Sequence, residues 1–417
     1  HDVAFGPLVR DAQAWSDRLL ASLATGPSPA LVSLATDGET YGHHHPFAEM
    51  ALARTIELVR ETQGATVENF ASFLARHGAA HDIALVAPSS WSCSHGVERW
   101  RSDCGCRMAP EQPSNQRWRA PLREAIGWLT AECHKTYDRD ARGLLRDPEA
   151  ALMGYGAAMA AGAETVRHYG SAAATEAAAG ENLVRAIELL EMERGALRTL
   201  TSCAWFFDDI GGIEALQVLR YAAWVIALAG PESAGLEAGF IRRLAPAESN
   251  SRMLGTGRDI YLRRARPSVP PPVRIAAGLA AARAFAPQAA SSRTWEIEGP
   301  DDALTLTNRR TGRRHSVRVE LERVGLELRV AVRSPLLEGP VALSLAELPE
   351  RQRITISAVL RGEALKKLLT GDEQLALSQG EELKPIIRRA LTRRVRALAE
   401  DHGDQAADRA VTAGLAG

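Results

Sequence analysis

The sequence predicts a multidomain protein with an α/β layer first, a helical bundle second and an antiparallel β-rich domain last. Helical and strand signals alternate over the first part, which is the pattern of an α/β layer or barrel. Long Ala- and Leu-rich helical stretches fill the middle, and beyond Ala290 the apolar residues recur with a period of two. These changes place the domains at residues 1–112, 113–290 and 291–417 of a 417-residue chain.

The composition excludes several classes of protein. Hydrophobic residues make up 46% and charged residues 24%, which is ordinary globular usage rather than that of a disordered, collagen-like or disulfide-scaffold chain. Fifty basic against 51 acidic residues leave a net charge of -1, so we expect neither nucleic acid nor a membrane as a partner. Five cysteines in so long a chain are typical of reduced thiols, which favours a cytoplasmic location. No cofactor is predicted.

The first domain is predicted to alternate two helices and two short strands after an opening helix. Apolar residues spaced by three and four predict the opening helix over 8–24. The apolar run 30–35 suits a buried parallel strand, and Pro46 suits the first turn of the next helix. A further helix near 70–75 leads to a second strand, 83–86. Polar loops follow both strands directly.

The other two domains follow from apolar periodicity. The middle domain is predicted as a helical bundle, and a Pro-rich break over 267–272 precedes one more helix over 273–284. Alternation then predicts antiparallel strands, and the spacing near the C-terminus predicts an amphipathic helix. The alternating positions include Leu304, Leu306, Val317, Val319, Leu328, Val330, Val332, Ile354 and Ile356, and the helix face includes Leu383, Ile386, Ile387 and Leu391.

The segment 37–45, DGETYGHHH in one-letter code, is the strongest functional signal. It places two carboxylates and three imidazoles directly after a predicted strand, where barrel enzymes assemble active sites. A carboxylic acid in a desolvated pocket can keep its proton near neutral pH and donate it to a glycosidic oxygen. The alternative is an acidic loop in which Asp37 bonds to backbone and caps the helix after Pro46.

This segment resembles the fourth conserved region of glycoside hydrolase family 57. The family pattern, Asp-x-Glu-Thr-aromatic-Gly-x-His, is matched by Asp37, Glu39, Thr40, Tyr41, Gly42 and His44. The resemblance implies retaining chemistry on α-glucans, with Asp37 as the general acid/base and Glu39, Tyr41 and His44 lining the site. It also implies that residues 1–112 are the C-terminal part of a (β/α) barrel. The remainder of the chain is similar to domain of unknown function 3536, which accompanies such catalytic domains.

A retaining mechanism requires a second carboxylate as nucleophile, about 5–5.5 Å from the acid. In the family this residue is a Glu on an earlier strand, and 36 residues precede Asp37 here. We therefore expect the nucleophile and the early barrel strands to precede His1, so that this chain would be an incomplete catalytic unit.

Segment 90–106 follows the second predicted strand and combines Trp with charged and polar residues. Indole faces suit pyranose rings, so Trp91 and Trp100 are candidate sugar platforms and His95 a candidate sugar contact; packing of the loop is the alternative. Cys93, His95, Cys104 and Cys106 also have the ligand types of a zinc site. Their pairs are separated by one residue rather than the usual two to four, so no metal is predicted.

Segment 201–210 packs three aromatic residues beside two aspartates. By the resemblance Trp205 and Asp208 would face substrate, whereas local pattern alone also fits bundle core. The basic stretch 309–314 is predicted to be a solvated hairpin turn. The resulting prediction is a hydrolase or glucanotransferase acting on an α-glucan or oligosaccharide. The alternatives are a metal-dependent polysaccharide deacetylase and a non-catalytic glucan-binding module.

Overall fold

The computed structural model describes residues 2–25, 29–79, 81–109, 111–285, 292–324, 327–369, 373–374, 377 and 382–401. The chain forms two compact units, residues 1–87 and residues 88–417. The boundary between the two units, at Pro88, lies inside the predicted first domain, 1–112. Beyond this boundary, Arg99 and Trp100 hydrogen bond to the carbonyls of Phe206 and Ser202, long-range contacts that sequence periodicity does not reveal.

The described residues of the first unit form three α-helices: α1 (Ala12–Ala24), α2 (Ala48–Glu61) and α3 (Phe70–His77). The α1 helix begins at Ala12 rather than Leu8, because the Asp11 carboxylate accepts a hydrogen bond from the Ala14 N–H at 2.9 Å and caps the helix. Helices α1 and α2 pack together, and Trp15 is fully buried between them. The small core comprises Val3, Val9, Trp15 and Ala48.

The barrel portion predicted for this unit is not seen. Residues 30–35 and 83–86 form no strand, and within the described part of residues 2–87 no other segment does either. Ile83, Leu85 and Val86 are 86%, 87% and 83% exposed rather than buried. A strand needs a neighbouring strand to pair its backbone N–H and C=O groups, so an apolar run without a described partner stays irregular.

Helices make up most of the first half of the second unit, which confirms the predicted bundle. Helices α4, α7, α9 and α10 pack against one another around a large apolar core. Over the described ranges, no helix combines the length and apolar character that a membrane span requires. The helices are α4 (Arg119–Leu144), α5 (Pro148–Ala160), α6 (Ala163–Ala173), α7 (Glu181–Arg198), α8 (Cys203–Phe206), α9 (Ile213–Leu228), α10 (Ser233–Leu244), α11 (Gly257–Ile260) and α12 (Pro271–Phe285).

A five-stranded antiparallel sheet follows, with its strands in sequence order. The predicted alternation is confirmed, because the apolar side chains of three neighbouring strands share a core with α12. The strands are β1 (Trp295–Glu298), β2 (Ala303–Asn308), β3 (Arg314–Val324), β4 (Glu327–Arg333) and β5 (Val341–Ser344), and the core residues include Leu304, Leu306, Val317, Val319, Leu328, Val330 and Val332.

Most of the described residues after β5 are helical. The strand predicted at Ile354 and Ile356 is wrong, because both lie in α13 (Glu350–Leu368). Two alternating apolar residues are too short a pattern to outweigh the Glu, Gln and Arg residues before them, which favour helix. A terminal helix, Leu383–Asp401, is confirmed and buries Ile386.

The β2–β3 hairpin is not a solvated turn, contrary to the prediction. The Arg313 guanidinium contacts both carboxylate oxygens of Glu188 on α7, at 2.8 and 2.7 Å. The Arg310 Nη1 contacts Oε2 of Glu191 at 3.0 Å, and that glutamate is 2% exposed. Ion pairs of Arg310 and Arg313 with glutamates on α7 therefore join the sheet to the helical bundle. Local charge patterning cannot indicate such a long-range contact.

Candidate functional site

The backbone of segment 37–45 is fixed by hydrogen bonds within the segment. The Thr40 N–H donates to the Asp37 carbonyl at 3.1 Å, and the His44 N–H donates to the Glu39 carbonyl at 2.9 Å. Gly42 has a φ of 103°, a left-handed conformation that favours glycine. The segment is thus a tight turn with its own geometry, although it follows no strand.

Tyr41 packs this turn against α1. Its ring stacks on Trp15 with centroids 6.1 Å apart and an interplanar angle of 11°. Its hydroxyl oxygen accepts a hydrogen bond from Thr36 Oγ1 at 2.9 Å. The half-buried ring of Tyr41 is therefore a packing element, and a sugar contact by Tyr41 remains a prediction from the resemblance.

The acidic side chains of the turn point into solvent. Glu39 Oε2 lies 3.8 Å from His44 Nε2, and the two side chains are 76% and 43% exposed. Asp37 is exposed, and its carboxylate makes no hydrogen bond or ion pair with the described residues. The predicted desolvation of this acid is not seen here, because no described side chain covers it. The helix-capping alternative is wrong as well, since the N-cap of α2 is Phe47.

In the second unit, segment 88–109 is anchored to the helical bundle through Arg99. The guanidinium Nε and Nη2 donate to the Phe206 carbonyl at 3.1 and 2.7 Å, and Nη1 donates to the Ser92 carbonyl at 3.0 Å. The same group lies 3.8 Å above the centroid of the Phe206 ring. Arg99 is 5% exposed, so this anchor is a buried cation with three hydrogen bonds and a cation–π contact.

The two candidate sugar platforms of this segment differ in exposure. Trp91 is 76% exposed, so its ring is open to solvent. Trp100 is partly buried against the helical core, and its indole Nε1 donates to the Ser202 carbonyl at 3.1 Å. Trp91 is therefore the more accessible platform, and Trp100 helps to anchor the loop.

Four side chains of this segment converge on one point. The ligand atoms of Cys93, His95, Cys104 and Cys106 all lie within 4.8 Å of one another. The Sγ of Cys93 lies 4.0 Å from that of Cys104 and 3.8 Å from that of Cys106. The Nδ1 of His95 lies 3.9 Å from the Cys93 sulfur and 3.6 Å from the Cys106 sulfur. These four residues could hold a metal ion.

The protonation of the cluster is shaped by burial and by its hydrogen bonds. Burial opposes ionisation of Cys93, but hydrogen bonds from the backbone N–H groups of Arg99 and His95 outweigh it and lower the pKa of Cys93. Burial and the neighbouring sulfurs of Cys104 and Cys93 raise the pKa of Cys106. Cys93 is thus more easily ionised than an ordinary cysteine, and Cys106 is less easily ionised.

The structure places Trp205 in the core rather than at a surface that faces a sugar. Its ring is fully buried, and its Nε1 donates to the Arg119 carbonyl at 3.1 Å. Both carboxylate oxygens of Asp208 accept backbone hydrogen bonds at 2.8 Å, from Met108 and Ala109. Asp208 therefore ties the end of segment 88–109 to the bundle, and a contact between Asp208 and substrate remains a prediction.

Sequence reasoning missed two buried arginines beside the cluster. Arg99 and Arg119 are 5% and 0% exposed, and Arg119 Nη2 donates to the Phe207 carbonyl at 3.3 Å. Burial lowers the pKa of Arg119, helped by repulsion from Arg99, while Cys104, Asp208 and Cys106 act in the opposite direction. Their carbonyl partners in the bundle, on Phe206 and Phe207, are 107 and 88 positions away in sequence, so no local signal indicated these contacts.

Comparisons with known proteins bear on the second unit. A family model described as Domain of unknown function (DUF3536) matches residues 115–324, which run from just before α4 to the end of β3. The match covers about half of the chain and leaves out both segment 37–45 and the four converging Cys and His residues. Neither a curated protein nor a solved structure matches.

Proposed function

Because the chain belongs to the family described as Domain of unknown function (DUF3536), a description that specifies no chemistry, we propose its function from its side chains. The proposal is a carbohydrate-active enzyme that resembles family 57 glycoside hydrolases and cleaves or transfers α-glucosidic bonds with retention. The observation that carries it is the tight turn 37–45, whose own hydrogen bonds fix the backbone that bears Asp37, Glu39 and His44.

In this mechanism Asp37 first acts as an acid. It donates its proton to the glycosidic oxygen while the bond from that oxygen to the anomeric carbon breaks. A second carboxylate, which the proposal assigns to no described residue, forms the bond to the anomeric carbon. Asp37, now ionised, then takes a proton from water or from an acceptor hydroxyl, whose oxygen attacks the anomeric carbon and releases the second carboxylate.

The neighbours of Asp37 have supporting roles. Glu39 and His44 form an exposed pair that orients the turn and offers polar contacts to sugar hydroxyls. Stacking of Tyr41 on Trp15 holds the turn from the protein side. Separately from this turn, the second unit carries candidate sugar contacts of its own: the exposed ring of Trp91 offers an apolar face to a pyranose, and His95 and Trp100 are further candidates.

The proposal is tested with Asp37→Asn in the full-length gene product. Loss of a general acid typically lowers the rate by about 10²–10⁴-fold, so we expect kcat/KM on a soluble α-glucan to fall by that factor with an unchanged melting temperature. Asp82→Asn, an exposed aspartate in the same unit, is the matched control and should keep full activity. Undiminished activity of Asp37→Asn refutes the proposal.

A non-catalytic glucan-binding module is the second candidate, and the solvent exposure of the unpaired Asp37 favours it. In that case oligosaccharides bind, the full-length protein shows no turnover, and Asp37→Asn changes neither. The deacetylase alternative has no similar support. Within the described residues, the group able to hold a metal consists of three thiols and an imidazole, which would fill a tetrahedral zinc ion and leave no position for water.

A further inference from the structure

We propose that Cys93, His95, Cys104 and Cys106 bind one Zn²⁺ ion as a closed, structural Cys₃His site. The proposal goes beyond the glycan chemistry above and does not depend on it. It assigns a metal to a segment that the sequence spacing alone did not favour.

The distances fit a single tetrahedral ion. Zn–S bonds of about 2.3 Å and Zn–N bonds of about 2.0–2.1 Å at tetrahedral angles separate two sulfurs by about 3.8 Å and a sulfur from a nitrogen by about 3.6 Å. Two of the three sulfur–sulfur distances are 3.8 and 4.0 Å, two of the three sulfur–Nδ1 distances are 3.6 and 3.9 Å, and all four ligand atoms lie within 4.8 Å of one another. An ion at the centre of the cluster therefore needs shifts of no more than about 1 Å.

The same distances argue against a disulfide. A disulfide joins its sulfurs at about 2.05 Å, whereas Cys93 lies at 3.8 and 4.0 Å from its two neighbours and all three cysteines are free. Convergence of a third cysteine and of a histidine nitrogen on the same point has no role in a disulfide. It is the arrangement of a metal site.

The local backbone is built to bring the four side chains together. Gly96 and Gly105, which follow His95 and Cys104, have φ values of 80° and 81°, so each turns the chain sharply beside a ligand. The backbone N–H groups of His95 and Arg99 hydrogen bond to the Cys93 sulfur. Such donors orient a thiolate ligand and offset its charge.

Arg119 supplies a counter-charge beside the cluster. Three thiolates and one neutral imidazole around Zn²⁺ carry a net charge of -1. Arg119 is 0% exposed, and its Nε and Nη1 have no hydrogen-bond partner among the described residues. Its Nη2 donates to the Phe207 carbonyl, adjacent to the Phe206 carbonyl that binds Arg99 of the same segment as the cluster. A buried guanidinium with spare donors therefore fits an anionic metal site next to it.

A zinc ion would stabilise segment 88–109, which has little regular secondary structure of its own. The described residues of this segment contain one three-residue 3₁₀ helix, Glu98–Trp100, and no α-helix or ladder strand. Long irregular segments of this kind need other cross-links, and here Arg99, Trp100 and Asp208 supply them. The ion adds another, and it fixes the loop that carries the exposed Trp91.

The test measures the metal content of the whole chain purified under reducing conditions. Mass spectrometry of the metals should find about one zinc per chain, as a four-ligand structural site requires. We expect His95→Ala and Cys106→Ser to lose the zinc. Cys203→Ser removes an exposed cysteine outside the cluster and should retain it.

A gain-of-ligand variant separates metal loss from misfolding. His95→Cys keeps four donors, so it should still bind one zinc. After substitution with Co²⁺, its visible spectrum should differ from that of the parent chain, because a thiolate replaces the imidazole. Removal of zinc by a chelator should also open segment 88–109 to proteolysis and leave the helical bundle intact.

Three results would overturn the proposal. The first is a chain without zinc in which two of the three thiols form a disulfide. The second is a zinc content that both His95→Ala and Cys106→Ser leave unchanged. The third is iron in place of zinc. None of these three results bears on the activity assay of Asp37→Asn, so the zinc proposal and the proposed glycosidase function are tested independently.

Discussion

The two units of this chain bury their apolar residues to very different degrees. Residues 88–417 enclose a continuous helical core and a second core between the sheet and two helices. Among the described residues of the first unit, the apolar cluster has only four buried members, while Ile83, Leu85 and Val86 are more than four-fifths exposed. A helix satisfies its own backbone, whereas an apolar strand segment becomes buried only when a partner strand pairs with it.

The largest effect is expected where a buried charge joins the helices to the sheet. Glu191 is 2% exposed and contacts Arg194 at 2.7 Å, Arg310 at 3.0 Å and the hydroxyl of Tyr155. Removing one partner of a buried pair costs about 3–5 kcal/mol, so Glu191→Ala should lower the free energy of unfolding by that amount in urea. Glu176→Ala, at an exposed glutamate, should change it by less than about 0.5 kcal/mol.

The same variant has a defined pH dependence. Burial opposes ionisation of Glu191, but hydrogen bonds from Arg194 and Tyr155 outweigh it and hold the pKa of Glu191 below its usual value. A depressed folded-state pKa stabilises the protein above the unfolded value of about 4.3, and this contribution is lost as the pH falls through the folded value. The stability gap between the parent and Glu191→Ala should therefore be full at pH 7 and shrink below about pH 4. A gap that grows on acidification contradicts this assignment.

A matched pair of leucines sharpens the comparison of the two units. Leu190 is fully buried in the helical core, and Leu85 is 87% exposed. Leu190→Ala should cost about 2–5 kcal/mol, because it leaves a cavity that the bundle cannot fill. Leu85→Ala should stay within about 0.5 kcal/mol, measured by the same urea titration. Equal losses would mean that residues 83–86 are buried in solution.

Much of the second unit could be predicted from sequence, and the reasons are physical. Ile187 and Leu190 fall on the buried face of α7, and Val330 and Val332 belong to an alternation long enough to indicate a strand. Ile354 and Ile356 belong to no such run and lie in a helix. The strands predicted at 30–35 and 83–86 are not seen, because an apolar run becomes a strand only when a partner strand outside the segment pairs with it.

The candidate sites show the same division. Residue types indicated both segment 37–45 and the Cys and His cluster, but not their surroundings. Whether other side chains cover Asp37 depends on residues far from it in sequence, and in this structure Asp37 is exposed. The convergence of Cys93 with Cys106 depends on a loop path with left-handed Gly105, which spacing rules do not encode. The Arg99 guanidinium donates a hydrogen bond to the carbonyl of Phe206, 107 positions away in sequence.

The proposed role of Asp37 as a proton donor is tested most directly by changing the leaving group. A glycosidic oxygen needs a proton to depart, whereas fluoride departs without one, so only the first reaction needs the acid. In the full-length protein, Asp37→Asn should lower cleavage of an α-glucan by roughly 10²–10⁴-fold and leave the first step with α-glucosyl fluoride nearly unchanged. Equal loss on both substrates, or no loss on either, would contradict the assignment of Asp37 as the general acid.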